Sequence, residues 1–251
     1  MAAFPLVFYF LGARMIEALN AILADAVSSA LIAAPREMCG VAIVKNGKPK
    51  FIECRNMGDD NDFFYMHPAD YVAACNEGEV IAIVHSHGAH STEPSDADLT
   101  ACEKSRKPWL IVNTSGKSTL VFPNGYKAPL IGRTWAHGVH DCYALLRDAM
   151  VKIIGVAIPD FERGVNWWAK GENLIADQYE QAGFKRLLDE PLKHGDVLVM
   201  QVGSQVPNHC AVWLEGNYIL HHCFGRLSSR DVYGASWQRL TVLHLRHESQ
   251  K

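Results

Sequence analysis

VHSHGAHSTEPSDAD, residues 84–98, decides how the first half of this chain is read. It closes an apolar run, VIAIV, with His85, Ser86 and His87, and after seven intervening residues it supplies Ser95 and then Asp98. Two histidines one residue apart at a strand end point to the same face, so both rings can reach one point. A carboxylate from the helix that follows completes three protein ligands of the kind that hold zinc with a fourth position open to water. Zinc in such an open site lowers the pKa of its water towards neutrality and so prepares attack on a carbonyl carbon. That chemistry needs a base, and Glu37, in PREMCG (35–40) ahead of the first strand, is the candidate to take the water proton. Ser95 is the candidate to stabilise the developing oxyanion.

Outward from this stretch, apolar positions recur with helical spacing over residues 16–34 until Pro35 stops them. VAIVK and KFIEC, joined by Asn46 and Gly47, read as a hairpin within 39–54. A buried strand over 79–85, a helix over 96–105 and a strand over 109–113 follow. FPNGYKAPLIGR (122–133) concentrates proline and glycine and reads as a linker, giving domains of 1–124 and 125–251. Beyond it, helices are expected over 141–154 and 171–188, then strands in HGDVLVMQV, CAVWLEG, NYILHHC and TVLHLR. The expected fold class is α+β in two domains.

Bulk composition narrows the function classes. With 251 residues, 49% hydrophobic and 20% charged, the chain has material for two packed cores. A net charge of -3 gives no basic footprint for nucleic acid, which is excluded as a partner. Seven scattered cysteines form no short pair and read as free thiols rather than a disulfide framework. The apolar run 4–11 is too short to span a bilayer, so no transmembrane segment is expected. Residues 1–14 are read as either an interaction arm or a poorly ordered extension.

In HGVHDCYALLRDAM (137–150), Cys142 opens a helix, where free N–H groups and the helix dipole favour thiolate over thiol. His209, starting the strand in NHCAVWLEG, is the candidate base, and His221, twelve residues on in YILHHC, the candidate to orient it. His222 competes for that role, since strand alternation lets only one of the two face inward. Asp141 reads as the helix cap, with contact to a substrate amine as the alternative. The aromatic segment PDFERGVNWWAKGEN (159–173) reads as core packing, with a substrate wall or docking surface as the alternatives. His90 reads as a solvated loop residue and Cys39 as a packing residue, with a supporting place behind the ligands as the alternative for both.

The first set, Glu then HSH, seven residues and SxxD, resembles the JAMM metalloprotease signature over roughly residues 15–122. The resemblance implies a mixed sheet flanked by helices, Glu37 as general base, His85, His87 and Asp98 as Zn2+ ligands, and Ser95 assisting the oxyanion. The second set is similar to the NlpC-type cell-wall peptidases: a DC motif opening a helix, Gly195-Asp196 before a strand, then two histidines in successive strands. That resemblance implies a papain-like domain with an antiparallel sheet, Cys142 as nucleophile, His209 as base and His221 as orienter. The upstream tyrosine that family often uses has no counterpart between Leu130 and Asp141, leaving that helper of the oxyanion site unassigned.

Fused in this order, the two resemble the tail tip assembly proteins of lambda-like bacteriophages. This implies peptidoglycan stem peptides as substrate and phage tail tip proteins as partners. It also implies residence in the host cytoplasm during assembly, then at the virion tail tip, acting in the periplasm on entry. Two other readings stand beside it: a structural or chaperone-like assembly factor whose sites are dispensable, and an isopeptidase acting on ubiquitin-like conjugates.

Overall fold

The computed structural model describes residues 4–58, 61, 63–88 and 91–250, with side chains from residue 14 onward; His90 lies outside the described residues. Two compact units divide the chain, Met1–Lys127 and Ala128–Lys251. The first carries a mixed sheet and the second an antiparallel one, which bears out the two-domain α+β expectation.

In the first unit, helix α1 (Phe4–Ala33) precedes a five-stranded sheet ordered β2-β1-β3-β4-β5. Its strands are β1 (Cys39–Lys45), β2 (Lys48–Cys54), β3 (Glu79–Ser86), β4 (Trp109–Val112) and β5 (Ser118–Val121). Among the described residues only the β3–β4 pair is parallel, connected through helix α3 (Asp96–Ser105). Strand alternation sorts the core into two faces. Ala42, Ala82, Val84, Leu110 and Val112 meet Leu19, Ile22, Ala26 and Ala30 of α1. Val41, Ile43, Ile83, Trp109 and Ile111 face the other way, towards Ala74 of helix α2 (Pro68–Glu77) and Cys102 of α3. His85 follows Ile83 by two residues and therefore emerges on the face that α3 covers. Position in the alternation thus brings the histidine to the helix that carries Asp98.

Among the described residues α1 is helical from Phe4 onward. By length and composition, Arg14–Ala33 is long and apolar enough to cross a membrane. In the folded unit, one face of this stretch is covered by the sheet.

The second unit is a six-stranded sheet ordered β10-β9-β8-β7-β11-β6, with every described pairing antiparallel. Its strands are β6 (Phe184–Leu187), β7 (Val197–Met200), β8 (His209–Leu214), β9 (Tyr218–His221), β10 (Ser229–Val232) and β11 (Thr241–His247). Helix α4 (Cys142–Ala149), continuing as one π turn over Met150–Ile154, packs Leu145, Leu146 and Met150 on Val197, Val199, Cys210, Val212 and Leu245. The opposite face, with Leu198, Met200, Ala211 and Ile219, meets Trp237 and Leu240 of helix α6 (Ala235–Leu240).

A helix over 171–188 is corrected: only α5 (Leu174–Gln178) is α-helical there, and Phe184–Leu187 is β6. Gly183 stands at φ +83, a left-handed turn that ends helical geometry, and β6 then pairs with β11. Asp196, fully buried, is clamped at 2.8 and 2.7 Å by Nε and Nη2 of Arg246, so its place beside β7 is structural. Gly195 combines φ +92 with an Ile154 side chain packed where a Cβ would stand, so only glycine fits.

Candidate functional sites

In the first unit, the strand end and the helix start converge as the spacing requires. His85 Nε2 and His87 Nε2 are 3.0 Å apart, and Asp98 places Oδ1 3.3 Å from the former and Oδ2 3.2 Å from the latter. These three groups present their ligand atoms to one point. Asp98 is fixed by a capping box at the head of α3: its N–H donates to Ser95 Oγ at 3.1 Å, and its Oδ2 accepts the Ser95 N–H at 2.7 Å. The Ser95 hydroxyl also donates to Asp98 Oδ2 at 2.7 Å. His87 Nδ1 meets the Ser91 carbonyl at 3.0 Å, which puts a proton on Nδ1 and leaves Nε2 as a lone pair. His85, fully buried, is wedged between the rings of Phe64 and Trp109 at 4.8 and 5.3 Å. Glu37 is nearly buried at the rim, its Oε1 4.0 Å from His87 Nε2.

Burial lowers the pKa of His85. Burial opposes charge on Asp98 too, but hydrogen bonds from the two histidines outweigh it and hold the carboxyl well below its usual range. For His87, burial is overcome by Asp98 and Glu37, and the pKa rises. Two neutral imidazole nitrogens and a carboxylate are a borderline-soft donor set suited to zinc. Ligands about 2.0–2.1 Å from a shared tetrahedral ion stand about 3.3 Å from one another. The separations observed here are close to that, so the residues fit the ion. Cys39 is buried across the β1–β3 pairing from His85, with its thiol turned to the Cys54 carbonyl at 3.5 Å.

In the second unit, Cys142 is the first residue of α4, and Asp141 caps that helix by accepting the Ala144 N–H at 2.8 Å. Asp141 also accepts from Arg163 Nε and the Gly138 N–H, both at 2.9 Å, so its lone pairs are committed to structure rather than to a substrate amine. His209 favours the thiolate of Cys142, and Cys142 in turn favours the charged His209 ring. His209 Nε2 lies 3.1 Å from His221 Nδ1, and Asp231 Oδ2 is 3.1 Å from His221 Nε2, near enough for an ion pair though outside hydrogen-bond alignment. Trp237 packs its ring against His221 at 4.7 Å. His222 points elsewhere, its Nε2 3.1 Å from the Arg226 carbonyl and its ring against Trp135.

The Cys142 thiol is lowered well below its ordinary value, first by a hydrogen bond with Cys210 and then by His209, against the opposing effect of burial. Burial disfavours charge on His209, yet its contacts with Cys142 and Cys223 lift it to about 9. A low thiol facing a raised imidazole is the electrostatic signature of a thiolate–imidazolium pair.

Three neighbours escaped the sequence reading. Cys210 adjoins His209 in β8, Cys223 lies just past His221, and Asp231 stands on β10. The only sequence signal for Asp231 was its carboxylate in SRDV, which takes on meaning once β10 pairs with β9 and sets Ser229 opposite His221. In the aromatic segment, Trp167 is buried and Trp168 packs on the same core, so the packing alternative describes both.

Residues 19–122 match the family of prokaryotic homologs of the JAB domain, and residues 132–246 match the NlpC/P60 family. Tail tip assembly protein K of Escherichia phage N15 is 35% identical over 218 residues, covering 85% of this chain and 89% of that protein. Its counterpart in Escherichia phage lambda is 39% identical over 186 residues, 73% of this chain and 90% of that protein. Among solved structures, a JAB1/MPN domain protein from Archaeoglobus fulgidus is 19% identical with a TM-score of 0.31, covering 43% of this chain and 88% of that one.

Proposed function

Because the chain belongs to the tail tip assembly protein K family, carrying a JAB domain followed by an NlpC/P60 domain, we propose that it serves phage tail assembly as a bifunctional peptidase. The observation that carries this reading is the line His209–His221–Asp231, with Cys142 opening α4 and its thiol lowered by His209. Asp231 favours a proton on His221 Nε2, which leaves Nδ1 to accept from His209 Nε2 and turns the remaining His209 nitrogen to the thiol. Cys142 attacks the amide carbon, His209 protonates the leaving amine, and water releases the acyl group with His209 as base. The N–H groups at the head of α4 favour the negative charge that forms. The substrate class is the peptidoglycan stem peptide, and the catalytic domain spans 125–251.

In the first domain, 1–124, His85, His87 and Asp98 would hold zinc, which when bound supplies Lewis acidity towards a carbonyl oxygen and a water. Glu37, at the rim, accepts and returns the proton. Ser95 first orients Asp98; to reach an oxyanion its hydroxyl must swing from Oδ2 as substrate arrives. The metal domain acts as a peptidase on tail tip proteins, which are the partners. The protein works in the host cytoplasm during assembly and reaches the tail tip, acting in the periplasm on entry.

The test is mass spectrometry of stem-peptide fragments incubated with the full chain, with Cys142→Ala, and with chelator. Cleavage lost in Cys142→Ala but kept under chelation is the expected result. Intact fragments with well-folded wild type would favour a purely structural assembly factor.

A further inference from the structure

Cys223 has no part in the peptidase line, yet its Sγ lies 3.8 Å from His209 Nε2 and 3.5 Å from His221 Nδ1. Strand pairing explains the meeting. Ala211 pairs with His221, so two steps back along β8 and two steps beyond β9 set His209 across from Cys223, while His221 and Cys223 share one face. The three ligand atoms face one point.

Tetrahedral zinc holds imidazole nitrogen at about 2.0–2.1 Å and thiolate at about 2.3 Å, which places two such nitrogens about 3.3 Å apart and nitrogen and sulfur about 3.6 Å apart. The observed 3.1, 3.8 and 3.5 Å are close to that figure on all three edges. The outer partner is present too: Asp231 stands 3.1 Å from the far nitrogen of His221, where a carboxylate orients a metal-ligating imidazole. Two imidazoles and a thiolate select zinc-class ions over the hard cations magnesium and calcium.

We infer that His209, His221 and Cys223 form a second metal site, for a thiophilic divalent cation of the zinc class, and that filling it silences the cysteine site. Binding releases the Cys223 thiol proton and the His209 Nε2 proton to solvent, and no bond is oxidised or cleaved. The two nitrogens that hydrogen-bond each other in the working line are then both committed to the ion, so His209 loses its orienter. The silencing half rests on the peptidase reading above; the binding half does not. The same ion would equip the first domain and arrest the second.

The experiment titrates Co2+ under reducing conditions into the full chain carrying His87→Ala and Asp98→Ala, so that only the second site remains, with circular dichroism to confirm folding. One equivalent with thiolate-to-cobalt charge-transfer absorption is expected. Adding Cys223→Ser should remove that band and weaken binding by more than the roughly 10–100-fold that loss of an outer partner costs. Adding Cys142→Ala should leave the band in place. A folded parent with no thiolate band overturns the site, as does a band that survives Cys223→Ser but vanishes with Cys142→Ala. In fragment cleavage, zinc should inhibit wild type and spare Cys223→Ser; equal inhibition of both overturns the silencing. Absence of any cleavage would defeat the peptidase reading, and the cobalt titration would still decide the site.

Discussion

At His85, His87 and Asp98, three potential ligand atoms converge beside Glu37, a cluster of lone pairs and negative charge that a cation from outside can balance. At Cys142 and His209 the balance is internal, because a lowered thiol faces a raised imidazole and one proton transfer makes both charges. One centre is thus built to take a charge from solution, while the other makes its own by internal proton transfer, and under the second-site proposal an ion from solution would arrest that transfer.

The sharpest break in this comparison is Cys142→Ala, which should lower stem-peptide cleavage by about 10⁴-fold or more in a fragment assay, since no neighbouring group replaces the nucleophile. Next is Arg163→Leu, which strands the buried Asp141 carboxylate at the cap of α4. Removing one partner of a buried pair costs about 3–5 kcal/mol, so chemical denaturation should show the second unit losing stability while the first keeps its own. Third, Asp98→Asn should reduce zinc retention by at least about 10–100-fold, measured by competition with a chromophoric chelator, and leave cysteine-dependent cleavage intact.

The smallest effect is on pH dependence. His209 has a folded pKa raised to about 9, so its imidazolium is fully present below the ordinary histidine value and is lost as pH rises through about 9. Cysteine-dependent cleavage should therefore decline on the alkaline side near that value. Asp141 is the opposite case: burial would raise it, but Arg163 and the Ala144 N–H hold it below its ordinary value. Its stabilisation is complete above about pH 4 and disappears as pH falls through the lower folded pKa. A thermal melt of the second unit that stays flat from neutrality down through that range would remove the pair from the account.

The two sites also differ in how far they can be read from sequence. His85, His87, Ser95 and Asp98 fall within one strand-loop-helix step, and SxxD states both the ligand and its cap, so local rules suffice. Cys142, His209 and His221 were readable as a helix start and two strand positions. Asp231 and Cys223 were not, because their role depends on the β8–β9–β10 register, a tertiary fact. The polar edge strand Ser229–Val232 has too little alternation to signal itself, and the sequence reading assigns no element to α2, which opens with a His67 cap and Pro68 in its first turn. The helix wrongly expected over 171–188 arises because Phe184 and Leu187 keep an i, i+3 spacing, although Gly183 has already turned the chain into a strand.

The capping box at the head of α3 has a consequence for the order of events at birth. A helix turn forms in well under a millisecond from neighbours in sequence, long before a scarce ion diffuses in. Asp98 is tied to that turn by the Ser95 N–H and hydroxyl, so its carboxylate is aimed when the helix closes. On the proposed zinc reading, the ion would meet a finished socket and need not gather its ligands, unlike small zinc modules that collapse around the metal. On the zinc reading proposed above, newly made chains would fold metal-free and take up the ion afterwards.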